Sequence, residues 1–127
     1  MIVVDASVLI ALLDAGDAHH ANARSIAAAH ASEGFLIHPV TLAEVLVGAV
    51  RNGRGTQRVS ELTAMGVLAA EPDPTEPLFL AELRVNTGLP LPDCCVLSTA
   101  LSVGASIATF DARLGRAAAS AGLGVIA

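Results

Sequence analysis

The stretch M-I-V-V-D-A-S at residues 1–7 decides how this chain is expected to fold. Its β-branched run, Ile2 to Val4, is typical of a strand that is buried on both faces of a parallel sheet. Asp5 follows where such a strand would leave the sheet. Ligands of open parallel sheets bind beyond the carboxyl ends of the strands, so this carboxylate is predicted to face a cleft. The alternative interpretation is that Asp5 is only the N-cap of a helix over Ser7 to Asp14.

Strand-like and helix-like segments alternate along the rest of the chain. Strands are predicted at residues 2–4, 35–38, 67–70, 106–109 and 123–126. Helices are predicted at 7–14, 17–33, 40–51, 56–65, 78–86, 92–103 and 111–121, with Ser7, Asp17 and either Thr41 or its neighbour as helix caps. This alternation predicts an α/β fold in which helices flank a central parallel sheet of about five strands. At 127 residues the chain is expected to form a single domain, residues 1–127.

Composition narrows the class of protein. The chain is 54% hydrophobic, yet no segment approaches the ~18 uninterrupted apolar residues of a membrane span. The N-terminus lacks a basic region before its apolar run, so no signal peptide is predicted and a cytoplasmic location is expected. Cys94 and Cys95 are adjacent and have no third cysteine to pair with, which suggests small buried residues in a reducing compartment. The apolar surplus on a small body predicts a homodimer or another protein partner.

Four acidic residues occupy comparable places along the chain. Asp5 ends the first strand, Asp111 follows the fourth strand in T-F-D, Asp93 opens a helix after L-P-L-P, and Glu44 lies early in its helix. If the first and fourth strands are neighbours, strand spacing of ~4.8 Å brings Asp5 and Asp111 within side-chain reach. Asp93 and Glu44 are then expected to close over the same crevice, with Glu44 buried in its apolar segment L-A-E-V-L.

Carboxylates that share a pocket raise one another's pKa, so a cluster of four needs a counter-charge. The chain has no lysine, and its seven basic residues are all arginine. A hard divalent cation such as Mg²⁺ or Mn²⁺ takes oxygen ligands and would supply that charge. A bound ion of this kind lowers the pKa of water and polarises a phosphoryl group, which suits phosphodiester hydrolysis. Taken singly, Asp93 and Asp111 are equally well explained as helix caps. The alternative for Glu44 is a solvent-facing residue, but its apolar neighbours favour a buried one.

The motifs D-A-S-V-L (5–9), T-L-A-E-V (41–45), L-P-L-P-D (89–93) and T-F-D (109–111) together resemble the PIN-domain ribonucleases. The segment that begins at L-P-L-P-D-C-C is most similar to VapC-type toxins of toxin–antitoxin pairs. The resemblance implies a PIN-like three-layer fold, cleavage of RNA with Mg²⁺ or Mn²⁺, and a cognate antitoxin as partner. It implies Asp5 and Asp93 as direct metal ligands, Glu44 and Asp111 as acids that complete the site, and Ser7 and Thr109 as hydroxyls that brace the carboxylates. Cys94, Cys95 and Ser98 depart from the small residues usual after the third acid.

Other functions are less compatible with the sequence. A phosphoacceptor receiver domain requires a lysine, which is absent, and a haloacid-dehalogenase phosphatase requires an aspartate where Ser7 stands. A PIN-like scaffold that binds a partner without catalysis stays open as the alternative. Cys95 is not expected to be a nucleophile, and the four histidines are expected at surfaces or strand ends. Three arginines are interpreted either as contacts to RNA phosphates or as a solvated face: Arg51, Arg54 and Arg58.

Overall fold

The computed structural model describes all residues from Met1 to Ala127 and contains five strands and seven helices. The strands are β1 (Ile2–Val4), β2 (Phe35–Ile37), β3 (Val67–Ala69), β4 (Ile107–Ala108) and β5 (Val125–Ile126). The helices are α1 (Ala6–Leu13), α2 (His20–Ala29), α3 (Pro39–Arg51), α4 (Gly55–Ala64), α5 (Glu76–Thr87), α6 (Leu91–Val103) and α7 (Ala112–Ser120). No helix is long and apolar enough to cross a membrane.

All strand pairs are parallel, and the strands lie in the order β3-β2-β1-β4-β5. The predicted α/β fold with a central five-stranded parallel sheet is therefore confirmed. Strand β1 lies at the centre, and Val3 and Val4 pair with Ile107 and Ala108 of β4. The chain runs outward from β1 to β3 and then returns to the other side of β1 at β4. The order thus reverses between β1 and β4, which is where open α/β sheets place their ligand crevice.

Two apolar cores lie on opposite faces of the sheet, as the unbroken apolar run of β1 predicts. Ile2 and Val4 point into the core formed with α1 to α4. Val3 points into the core formed mainly with α6 and α7, against which α5 packs. Successive side chains of a strand point to opposite faces, so one three-residue strand contributes to both cores. Burial on both faces fixes the position of β1, and with it the position of Asp5 at its carboxyl end.

The N-caps of three helices differ from the sequence prediction. Helix α1 begins at Ala6 with Asp5 as its N-cap, so Ser7 is not the cap. Helix α2 begins only at His20, although Asp17 still accepts a hydrogen bond from the His19 backbone N–H at 2.8 Å. Helix α3 begins at Pro39, where proline at the first helical position needs no hydrogen bond. His38 caps this third helix instead of Thr41, whose buried hydroxyl has no hydrogen-bond partner.

Candidate active site

Asp5 lies at the carboxyl end of β1, and hydrogen bonds hold its side chain in one orientation. One carboxylate oxygen, Oδ1, accepts from the Ala6 backbone N–H at 2.9 Å. The other, Oδ2, accepts from the hydroxyls of Ser7 at 2.7 Å and Thr109 at 2.8 Å. The side chain is buried, with 8% of the residue exposed. Asp5 therefore is a helix cap, and it also lies at the edge of the sheet where a cleft was predicted.

The residues after β4 lie against Asp5 and complete this edge of the sheet. The Thr109 hydroxyl accepts a hydrogen bond from the Asp111 backbone N–H at 3.0 Å while it donates to Asp5. The Phe110 backbone N–H donates to the Ser7 hydroxyl at 3.1 Å. Ser7 and Thr109 thus each bridge the β1 and β4 segments. Strands β1 and β4 are therefore neighbours, which is the condition under which the sequence predicts that Asp5 and Asp111 lie close together.

Asp111 is exposed and caps α7. Its Oδ1 accepts from the backbone N–H groups of Arg113 at 2.8 Å and Leu114 at 3.1 Å. The helix-cap interpretation thus holds for this residue as it does for Asp5. Capping uses only one oxygen of the Asp111 carboxylate. The negative charge of Asp111 therefore lies at the same edge of the sheet as Asp5.

Asp93 is partly buried in the first turn of α6, and its pKa is raised from 3.8 to about 6. Loss of hydration is the largest cause, because burial disfavours the charged form. The negative charges of Asp111, Asp5 and Glu44 raise the pKa further, and Arg113 lowers it. The structure therefore brings all four predicted acids into one electrostatic environment. Only one cationic side chain opposes them at Asp93.

Glu44 is exposed on the second turn of α3, so the expectation that it is buried is wrong. Its apolar neighbours Val45 and Leu46 turn toward the core, which leaves Glu44 on the outer side of the helix. Partial desolvation raises the pKa of Glu44, and the charge of Asp5 raises it as well. The side chain thus lies at the rim of the acidic cluster, in partial contact with water.

A hydrogen-bonded network beside the acids was not predicted from the sequence. His38 is buried, and its Nδ1 accepts from the Val40 backbone N–H at 3.0 Å, which leaves the proton on Nε2. Nε2 donates to Glu76 at 2.6 Å, and the Ser98 hydroxyl donates to the other Glu76 oxygen at 2.9 Å. The network joins α3, which carries Glu44, to α6, which carries Asp93. It also explains why serine stands at position 98.

Local signals are too weak to find this network. Pro39 marks a helix start, which makes His38 a candidate cap, but histidine is not among the usual N-cap residues. Glu76 lies 38 positions further along the chain, in the first turn of α5. Nothing near either residue in the sequence indicates that the two meet.

Both cysteines are buried and free, as predicted. Burial, followed by the negative charges of nearby acids, raises the pKa of Cys95 to about 11. A thiol of that pKa is protonated at neutral pH, whereas cysteine nucleophiles react as thiolates. The environment of Cys95 is therefore that of a structural residue.

His19 forms an aromatic pair with Phe110, the residue that precedes Asp111. Their ring centroids lie 4.6 Å apart with an angle of 18° between the ring planes, which is a stacked arrangement. Phe110 lies between Thr109 and Asp111 and packs against the core, whereas His19 is exposed. The pair places a flat surface beside the acidic cluster.

A family model described as the PIN domain matches residues 2–120 of the sequence. The chain belongs to the PIN domain family. The match spans all four acids and every strand except β5. The resemblance drawn from the four acidic motifs is thus confirmed at the level of the family. No curated protein sequence shows significant similarity to this chain.

Solved structures of other proteins share the fold of this PIN domain. VapC20 of Mycobacterium tuberculosis, a toxin that cleaves the sarcin-ricin loop, is 19% identical and covers 92% of this chain and 95% of its own, with a TM-score of 0.77. A toxin–antitoxin complex from Klebsiella pneumoniae contains a chain that is 23% identical over 91% of this chain and 90% of its own, with a TM-score of 0.69. The structure of FitAB bound to an IR36 DNA fragment contains a chain that is 19% identical over 99% of this chain and 94% of its own, with a TM-score of 0.72.

The acids of this PIN domain offer a donor set suited to a hard divalent cation. No three histidine, cysteine, aspartate or glutamate side chains form a ready metal cluster. Mg²⁺ is commonly bound through one or two carboxylates and completes its shell with water, so three converging protein ligands are not required. Asp93 takes part in none of the ion pairs of the chain, so its carboxylate is free to bind a cation. The residues present therefore fit such an ion.

Proposed function

We propose that residues 1–127 act as a single PIN-type endoribonuclease domain that hydrolyses RNA with Mg²⁺ or Mn²⁺. One observation carries the proposal: four carboxylates from separate segments lie close enough at one edge of the sheet for three of them to add to the effect of burial, which raises the pKa of the fourth, Asp93. An uncompensated cluster of this kind destabilises the folded protein unless it binds a cation. Family membership provides independent support, because the four acids coincide with the motifs that resemble PIN ribonucleases.

Each acid has a role that follows from its surroundings. Asp5 and Asp93 would hold the metal, which supplies a Lewis acid to the phosphate and lowers the pKa of bound water. Asp5 is fixed in place by three hydrogen bonds, so its carboxylate needs no reorientation to act as a ligand. Glu44 and Asp111 would complete the site and orient water. Partial exposure and a raised pKa suit Glu44 to accept the proton that water loses when it adds to phosphorus. The departing ribose oxygen takes up a proton as its bond to phosphorus breaks.

The same proposal assigns the chain the role of a cytoplasmic toxin with a cognate antitoxin. The solved structures that share its fold include a toxin and a toxin–antitoxin complex. A groove of about 370 Å³ leads to Glu44 and is lined by apolar side chains of α1 and α3, including Ile10, Leu13 and Val47. Such a groove suits an antitoxin segment with an apolar face. A homodimer is also proposed, because α5 has no buried residue and leaves Leu78 and Val85 largely exposed.

The test of the proposed function is degradation of RNA by the purified protein. Wild type is expected to cleave single-stranded RNA when Mn²⁺ is added and to stop when the ion is chelated. Asp5→Ala should be inactive, while Asp17→Ala, which removes a carboxylate of the α1–α2 connection outside the cluster, should cleave as wild type does. Mapping of the new RNA 5′ ends after expression would then identify the substrate. Absence of metal-dependent cleavage by wild type would favour the catalytically silent scaffold.

Inhibition by the antitoxin is expected to compete with metal. The proposal is that a partner arginine or lysine reaches from the groove into the four acids and supplies the charge otherwise given by the ion, through a charge-assisted hydrogen bond. Excess Mg²⁺ should therefore weaken inhibition, and loss of the inserted cation should reduce inhibition more than binding, because the groove contacts remain. Antitoxin affinity measured over a series of Mg²⁺ concentrations tests this competition. Antitoxin affinity that is unchanged by millimolar Mg²⁺ and by Asp93→Asn would show that inhibition does not involve the acids.

A further inference from the structure

A second cavity adjoins the acids on the side of α7, and its charge is of the opposite sign. Its volume is about 360 Å³, and its lining contains two arginines, Arg113 and Arg116, but no acidic residue. The two arginines are three positions apart on α7 and so lie on the same side of the helix. Asn86, Thr87 and Ser120 add polar side chains to the lining. The cavity is therefore polar and cationic, which suits an anion.

Neither arginine forms an ion pair with an acidic side chain. The three ion pairs of the chain join His30 with Glu33, His38 with Glu76 and Arg58 with Glu61. The only hydrogen bond of the Arg113 guanidinium is a long one, 3.4 Å to the Gly88 carbonyl. Both side chains are exposed at the cavity. Two adjacent like charges without a counter-ion repel each other, and a bound anion would relieve that repulsion.

The position of the cavity connects it to the acids. Arg113 lies two residues after Asp111, in the first turn of α7, and it is the cation that offsets the charge of Asp93. By contrast, the groove beside Glu44 contains Arg54 and Arg58 together with Glu44 and Asp14, so its charges are mixed. Of these two cavities, only the one on the α7 side presents arginines to an RNA without an acidic residue in the same lining.

We propose that the Arg113–Arg116 cavity is a subsite for a backbone phosphate of the RNA, next to the phosphodiester that is cleaved. This inference rests on the proposed function and adds the residues that hold the substrate. The chain carries a net charge of −5, so the acids repel RNA when no metal is bound and flanking cations are needed to retain it. A guanidinium pairs with two phosphate oxygens at once, which fixes the strand as well as attracting it.

Binding of a short, fluorescein-labelled single-stranded RNA tests the subsite without interference from cleavage. The protein used is Asp93→Asn in the presence of EDTA, and affinity is measured by fluorescence anisotropy over a series of salt concentrations. Arg113→Gln and Arg116→Gln are introduced singly and together, and Arg24→Gln on α2 is the matched control for the loss of one charge. Arg24 lines neither the groove beside Glu44 nor the arginine cavity. Melting temperatures establish that each variant is folded.

Each of the two cavity variants should weaken RNA binding about five- to tenfold and to the same extent for different sequences. Each phosphate that the protein no longer neutralises should also reduce the slope of log affinity against log salt by about 0.7. Arg24→Gln should change neither quantity, and Arg113→Lys, which keeps the charge, should retain most of the slope.

Two outcomes would contradict the proposal, and they are distinguishable. The subsite would be excluded if the cavity variants bind RNA as tightly as Arg24→Gln does, with an unchanged salt slope. Cleavage of RNA by wild type would in that case leave the proposed function intact. The proposed function and the subsite would both be overturned if wild type fails to cleave RNA and Asp93→Asn, with no further substitution, fails to bind it.

Discussion

Asp93→Asn is expected to abolish RNA cleavage and to stabilise the metal-free protein. Cleavage should fall by more than about a hundredfold, because the substitution removes a proposed metal ligand and not merely a group that supports one. Stability should rise because an amide carries no charge, so it avoids the loss of hydration that burial imposes on the Asp93 carboxylate and also the repulsion by Asp111, Asp5 and Glu44. Nuclease activity that persists in a clean preparation would exclude Asp93 as a ligand.

The pH dependence of this effect has a definite sign. The pKa of Asp93 in the folded protein is about 6, above its ordinary value of 3.8, so the folded state holds this proton more tightly than the unfolded state does. The free energy of unfolding of metal-free wild type should therefore decrease as pH rises through this interval. At neutral pH the cost is about 2 kcal/mol once screening by water at this partly exposed carboxyl is allowed for, and Asp93→Asn should recover it. Below about pH 3, where both states hold the proton, the difference between the two proteins should vanish.

Asp73→Asn is the matched control for this variant. Asp73 is a fully exposed aspartate whose pKa is lowered by hydrogen bonds from the Thr75 backbone N–H and hydroxyl. Its removal should leave cleavage unchanged and should not stabilise the protein. Urea denaturation of wild type and both variants over a pH series provides the measurement. Equal behaviour of Asp73→Asn and Asp93→Asn would contradict the assignment of repulsion to the acidic cluster.

Asp5→Asn should also lose activity, but the structure argues against any gain in stability. The Asp5 carboxylate accepts three hydrogen bonds, from Ala6, Ser7 and Thr109, in a buried position. An amide nitrogen at Oδ2 cannot accept from either hydroxyl, so buried donors would be left without partners. The sequence suggests equivalent effects for the two aspartates; hydrogen bonding makes them differ.

Addition of Mg²⁺ or Mn²⁺ is expected to raise the melting temperature of wild type substantially. An ion that binds only the folded protein stabilises it by mass action, by about 2.7 kcal/mol when its concentration is a hundred times its dissociation constant. Ion binding also removes the repulsion that raises the pKa of Asp93, so the pH dependence of stability should flatten. Differential scanning calorimetry over a metal series would measure both effects.

Two controls separate site binding from general screening of charge. Sodium chloride at the same ionic strength screens surface carboxylates and should give a much smaller shift. Asp5→Ala and Asp93→Asn should lose most of the metal increment, whereas Asp73→Asn should keep it. An equal metal shift in wild type and Asp5→Ala would place the ion elsewhere in the protein.

Sequence patterns predict the order of elements and the place of the acids at one edge of the sheet. The β-branched run before Asp5 predicts a buried central strand, and the observed β1 contributes to both cores. The pattern does not determine which residue caps a helix, because capping depends on backbone angles at one position. Ser7 and Thr41 are both good caps by residue type, yet Asp5 and His38 occupy the extended positions from which a side chain reaches the helix.

Side-chain environment is harder to predict than element order. The apolar neighbours of Glu44 suggest burial, but helical geometry turns Val45 and Leu46 inward and Glu44 outward. The His38–Glu76–Ser98 network depends on contacts between α3, α5 and α6 that no local pattern encodes. Likewise, the position of Arg113 beside Asp93 follows from the packing of α7 against α6. Tertiary contacts of this kind determine the charge and the hydration around each side chain. The hydrophobic periodicity of the sequence does not predict them.

The hydrogen bond between Asp5 and Thr109 spans 104 positions of the chain, and this has a consequence for synthesis on the ribosome. A nascent chain that has emerged only as far as β3 contains Asp5 and Glu44 but neither Asp93 nor Asp111. At about 5–20 residues per second, translation needs several more seconds to deliver the missing half of the site. If the proposed function holds, the growing polypeptide gains no cleavage activity before Asp93 and Asp111 have both been synthesised. The order of the four acids along the chain thus delays assembly of the site until the second half of the domain has emerged from the ribosome.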